Sequence, residues 1–115
     1  MIQVKRVYDP PTPEDGLRVL VERLWPRGVT REMARLDLWM KEIAPSTELR
    51  KWFSHDPAKW EGFAERYTKE LAEKPDLVSS LAQKSRTTPV TLLFSAHDVR
   101  HNSAIVLKRV LEQQG

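Results

Sequence analysis

Pro89-Val90-Thr91-Leu92-Leu93-Phe94-Ser95-Ala96-His97-Asp98-Val99-Arg100-His101-Asn102-Ser103-Ala104-Ile105-Val106-Leu107 is the stretch from which the fold is read. Residues 89–95 form a continuous apolar run of strand length, as expected of a strand covered on both faces. Residues 103–113 place Ala104, Ile105, Val106, Leu107, Val110 and Leu111 around much of a helix, which predicts a largely buried helix. A buried strand, a polar loop and a buried helix in that order predict an α/β domain with this strand in the middle of the sheet.

Upstream, residues 56–75 carry the clearest periodicity. Asp56 is placed to cap and Pro57 to open a helix. Trp60, Phe63, Ala64, Tyr67 and Leu71 then fall on one helical stripe, and Pro75 ends it. Ser46 caps an earlier helix running to about Ser54. Asp76 caps a later one running to about Lys84, followed by a loop over residues 85–88. Thr30 caps a short helical turn. Residues 2–8 are rich in β-branched side chains and read as a strand. So do residues 17–24, where Leu17, Val19 and Val21 alternate with Arg18, Leu20, Glu22 and Leu24. Between these strands, three prolines and a glycine in residues 9–16 break regular structure. Leu36, Leu38 and Met40 alternate with polar or mixed neighbours and form a third candidate strand. Strands early, helices in the middle, then one buried strand and helix predict a short mixed or parallel sheet with helices packed on it. At 115 residues, one α/β domain over residues 1–115 is expected.

Composition narrows the chemistry. The chain has 40% hydrophobic and 30% charged residues, which suits a globular domain. It contains no cysteine, so disulfides, thiolate nucleophiles and cysteine zinc sites are excluded. Charges interrupt the N-terminal segment, which therefore does not read as a secretory signal, and no apolar run is long enough to span a bilayer. A cytoplasmic protein with no membrane partner is expected. The formal net charge is +3, and the basic excess lies in the last third, where five Lys/Arg face two Asp/Glu. That excess suits a small anionic ligand at least as well as a nucleic acid.

The loop after the last strand is the leading candidate site, because ligands of open α/β sheets bind beyond the carboxyl ends of strands. The start of the next helix adds unpaired N–H groups and partial positive charge. His97, Asp98 and His101 are the candidate acid–base residues there, with Ser95 and Asn102 as ligand-binding groups. Asn102 and Asp98 also suit plain structural roles as a helix cap and a turn residue. His97 and His101 are four apart but sit in a loop, so a metal site is not expected. No nucleophile-elbow pattern surrounds Ser95, so a Ser–His–Asp hydrolase is not expected either. The second candidate is Glu22-Arg23-Leu24-Trp25-Pro26-Arg27-Gly28, in which Trp25-Pro26-Arg27-Gly28 ends the second strand. Arg23 and Arg27 at that end can grip a phosphate or carboxylate in a forked geometry, and Gly28 can let backbone approach a ligand. Glu22 and Arg23 equally suit internal ion pairs, and Trp25 the core. Trp25 and Trp52 are candidate base-stacking surfaces if exposed; Trp39 and Trp60 read as packing residues. No standard phosphate-loop or dinucleotide motif is present, and no cofactor is expected.

The blocks Arg18-Val19-Leu20-Val21-Glu22-Arg23-Leu24-Trp25-Pro26-Arg27-Gly28, Ala44-Pro45-Ser46, Leu49-Arg50-Lys51-Trp52-Phe53, His55-Asp56-Pro57 and His101-Asn102-Ser103-Ala104 resemble the YeaO-like family. This is a bacterial group within the larger domain-of-unknown-function family 488, and the likeness covers nearly the whole chain in order. The resemblance implies a stand-alone α/β domain and brings no catalytic residue with it. More distant relatives carry Cys-His-Arg-type residues in the loop after the last strand. This chain has no Cys there, so thiol chemistry does not carry over.

The leading expectation is a domain that binds a small phosphate- or nucleotide-like anion at strand ends, with His/Asp acid–base chemistry if it is an enzyme. The rivals are a nucleic-acid-binding or regulatory module and a protein–protein adaptor without catalysis. Oligomeric state is open at this point.

Overall fold

The apolar run at residues 90–94 is strand β4 (Val90–Phe94) in the computed structural model, which describes residues 1–114. Every residue of β4 is buried. It pairs in parallel with β1 (Ile2–Arg6) on one side and with β2 (Leu17–Leu20) on the other. A two-residue strand, β3 (Leu38–Trp39), extends the sheet beyond β2, giving the order β1-β4-β2-β3 with all strands parallel. The sheet is thus the parallel form of the expected α/β architecture.

The alternation along β2 sorts its side chains as the sequence indicates. Val19 and Val21 join Val90, Leu92 and Phe94 in the main core, under α2 (Thr47–Phe53), α3 (Trp60–Ala72), α4 (Pro75–Thr87) and α5 (Ser103–Glu112). Leu20 and Leu93 face the other way, against Val7, Val29 and Ala34, the last of these in the short helix α1 (Arg31–Ala34). Fully burying one such Leu or Val contributes about 1.5–3 kcal/mol.

Strands β1, β2 and β3 are shorter than the patterns suggest. Past Leu20 only the Val21 N–H still reaches the Leu93 carbonyl, at 3.2 Å, before the chain leaves the sheet. The expected loop at residues 85–88 is mostly helix: α4 continues to Thr87, and the Thr88 N–H still reaches the Lys84 carbonyl at 3.2 Å. Asp76 does not cap α4. Pro75 opens it, since its fixed φ suits the first helical position. Asp56 does cap, accepting the Ala58 N–H at 3.0 Å on a short 3-10 turn that leads into α3.

One buried charge cluster escapes the sequence pattern. Arg18, on the second face of β2, donates to Asp15 at 2.5 Å and to the Ala34 carbonyl at 2.9 Å. Asp15 also accepts from Lys5 and from the N–H and hydroxyl of Thr12. Burial pushes the Asp15 carboxyl up, but these donors outweigh it and hold its pKa down at about 2. Gly16 makes the turn possible: its φ is +62°, and a Cβ there would stand 2.2 Å from the Pro89 carbonyl oxygen.

Candidate functional site

The carboxyl ends of β4 and β2 are tied together by one carboxylate. Glu22 Oε1 accepts both the N–H and the hydroxyl of Ser95, at 2.9 and 2.8 Å. Beyond Ser95 the loop 97–102 turns on Asp98. Asp98 Oδ1 accepts the N–H groups of Arg100 and His101, and Oδ2 lies 2.9 Å from His101 Nδ1. The Arg100 N–H first, then the His101 ring, hold the Asp98 carboxyl below its ordinary pKa. A carboxylate only accepts, so Nδ1 of His101 carries the proton. The His101 and Trp60 rings meet edge to face, with centroids 5.1 Å apart. Asn102 caps α5: its Oδ1 accepts the Ile105 N–H and its Nδ2 donates to the Asp98 carbonyl. The N–H groups of Ser103 and Ala104, in the first turn, have no helical acceptor. His97 is exposed and has no hydrogen-bond partner among the described residues.

The arginine candidates lie differently. Arg23 donates through Nε to the Pro45 carbonyl at 2.9 Å and through Nη2 to that of Ala44 at 3.3 Å. It belongs to a clamp on the segment leading into α2. In that clamp Tyr67 donates to the Ile43 carbonyl at 2.7 Å, Lys74 donates to the carbonyls of Glu42 and Ala44, and Glu70 accepts the N–H and hydroxyl of Ser46. Burial first, then the positive charge of Arg23, lowers the Lys74 pKa. Burial also raises that of Tyr67 well above its ordinary value. Arg27 is exposed, and its carbonyl accepts the Tyr8 hydroxyl. Gly28 has φ +77° with open space where a Cβ would stand, so it serves a left-handed turn.

The clamp aims α2 at a cavity of about 480 Å³ beside the start of α5. Its deep surface is apolar, from Phe53 and Phe63, whose rings stack at 4.3 Å, with Ala96, Pro45 and Leu24 around them. Asn102 and Ser103 line the α5 side; Thr47, Arg50 and Lys51 line the α2 side; Glu22 also lines it. Arg50 and Lys51 are exposed and have no ion-pair partner among the described residues. At one corner Ser54 and His55 are consecutive left-handed residues, φ +46° and +57°. Such a conformation costs each non-glycine residue roughly 1–2 kcal/mol. Another groove, of about 430 Å³, is lined only by residues of α4 and has no opposing wall.

Over residues 1–115 the chain matches the family described as the inactive DUF488-N3 subclade. It belongs to that subclade. It is 48% identical to the uncharacterised protein YeaO of Escherichia coli over 92% of both chains. It is 40% identical to the uncharacterised proteins Mb3100c of Mycobacterium bovis and Rv3073c of Mycobacterium tuberculosis, over 91% of this chain and 89% of theirs. No solved structure matches it. In this DUF488-N3 chain the strand-end loop adjoins a cavity, and of the eight residues singled out from sequence only Asn102 lines it directly. Ser95 is one hydrogen bond removed, through Glu22.

Sequence reasoning placed Glu22 in the second candidate stretch with an internal ion pair as its alternative, a pair absent among the described residues, and missed Arg50, Lys51 and His55 as lining residues of this subclade member. The signal for Arg50 and Lys51 was present, as two adjacent cations on a short capped helix. The signal for Glu22 was its place at the end of β2. The tryptophans are engaged in packing. Trp52 carries Arg66 at 4.1 Å and Lys59 at 5.2 Å from its ring and lies against Gly62. Trp25 is flanked by Trp39 and Arg31. Among the described residues no helix is long and apolar enough to cross a membrane.

Proposed function

We propose that this chain binds a small phosphate- or nucleotide-like anion in the cavity between α2 and the start of α5, and acts by binding rather than by catalysis. The observation that carries the reading is the pairing of two cations lacking ion-pair partners, Arg50 and Lys51, with the α5 N-terminus around one cavity. Guanidinium and ammonium groups at a concave rim attract anions and are not spent on internal carboxylates. The apolar floor suits an organic body attached to the charge.

The acid–base alternative has less support. His101 commits Nδ1 to Asp98 and packs its ring against Trp60, and the histidine that lines the cavity is His55, outside the loop on which that alternative rests. The description of the subclade as inactive agrees with a binding role. Arg23 serves the site indirectly in this reading, by fixing the backbone from which α2 starts.

Isothermal titration at low ionic strength with inorganic phosphate and with a nucleoside monophosphate tests the proposal. Saturable binding is expected, weakened at least tenfold by the double reversal Arg50→Glu with Lys51→Glu and by added salt. Absence of binding by the wild type, or binding untouched by the double reversal, overturns it.

A further inference from the structure

Glu22 is an unusual residue to find in a cavity that otherwise offers cations and helix N–H groups. Its Oε1 is held by two donors from Ser95, which fixes the orientation of the carboxylate. Its Oε2 has no hydrogen-bond partner among the described residues. A carboxylate accepts and never donates, so it repels an anion that brings only oxygen acceptors. The cavity volume is in the range that holds a small organic molecule rather than a bare ion. Phe53 and Phe63, stacked on each other and only 5% and 2% exposed, give it apolar contact through the ring edges that line the cavity.

Resting on the anion-binding reading above, we infer that Glu22 selects the ligand: the cavity takes aromatic anions whose ring carries an N–H donor, and Glu22 Oε2 accepts that N–H. Charge at one end is met by Arg50 and Lys51, the ring by Phe53 and Phe63, and the donor by Glu22. Anions without the donor leave a lined-up carboxylate desolvated and unpaired, which disfavours them. This makes Glu22 a specificity residue, and its bond to Ser95 makes Ser95 a positioning residue for it.

A graded ligand series separates the parts: inorganic phosphate, phenyl phosphate, and 3- and 4-aminophenyl phosphate, titrated into the full chain by calorimetry. Phenyl phosphate is expected to bind more tightly than phosphate, and at least one aminophenyl phosphate about tenfold more tightly than phenyl phosphate, as a hydrogen bond to a charged group confers. Glu22→Gln is the matched variant. The Ser95 N–H needs an oxygen, so the glutamine Oε1 stays there and the amide nitrogen replaces Oε2. The amino group's advantage should vanish in E22Q while phenyl phosphate binds at least as well. Equal affinity of the wild type for phenyl and both aminophenyl phosphates overturns the inference without any variant, as does an advantage that survives in E22Q. If phosphate and phenyl phosphate also fail to bind, the anion-binding reading itself falls.

Discussion

Replacing Asp15 by Asn removes one charge from a cluster that the rest of the fold cannot re-solvate. The Asp15 and Arg18 side chains are only 3% and 5% exposed, and Arg18 Nη2 already lacks a partner. All the neighbours of the carboxylate are donors: Thr12, Lys5 and Arg18. An amide nitrogen in its place faces one of them donor to donor. Breaking one side of a buried pair costs about 3–5 kcal/mol. The part of this that pH can read follows from the pKa. The folded value of about 2 lies below the ordinary 3.8, so the carboxylate's contribution is present above pH 4 and is lost as pH falls through 2. A shift of that size corresponds to about 2–3 kcal/mol. Urea unfolding of wild type and D15N at pH 7, 4 and 2.5 measures both quantities. The gap between the proteins should be about 3 kcal/mol or more at pH 7, hold down to pH 4, and narrow towards pH 2. A gap below 1 kcal/mol at pH 7, or one that does not change with pH, refutes the reasoning.

Other substitutions probe the elements around the site. Gly16→Ala should cost about 3 kcal/mol or more in the same assay, because a Cβ at φ +62° collides with the Pro89 carbonyl, which is backbone and cannot step aside. Tyr67→Phe leaves the Ile43 carbonyl unpaired inside the clamp and should cost about 1–2 kcal/mol by thermal or urea unfolding. Asn102→Ala removes both the α5 cap and the bond to Asp98; a loss of about 1–2 kcal/mol is expected, with faster amide exchange at Ile105 as its local signature.

Where the sequence was legible, the determinant was local. The β4 run and the Trp60-to-Leu71 stripe announce themselves through periodicity and apolar content alone; β4 is buried throughout, and the stripe buries Phe63, Tyr67 and Leu71 with Trp60 and Ala64 half-buried beside them. The alternation along residues 17–21 even assigns side chains to the two faces of the sheet. What stayed hidden depends on pairings distant in sequence. The clamp on residues 42–46 is built from Arg23, Tyr67, Glu70 and Lys74, none of which carries a mark of that role in its own neighbourhood. Asp15 reads as part of a turn and Arg18 as a polar strand position; their burial follows from the coil folded over that face. At the site, the loop after β4 was legible from topology. The side chain that joins it to β2 is Glu22 rather than an arginine, and Arg23, one position later, turns to the carbonyls before α2. A sequence pattern ranks residues by their chemistry, and arginine ranks above glutamate for an anion. Only the geometry shows which side chain is already engaged.

Amide spectra of ¹⁵N-labelled protein, recorded during titration with a nucleoside monophosphate at low ionic strength, test the central claim most directly. Saturable shifts are expected at Thr47, Arg50, Lys51, Asn102 and Ser103, around the cavity. No saturable shift, or shifts confined to Ser80, Gln83 and Lys84 on the α4 groove, would contradict it.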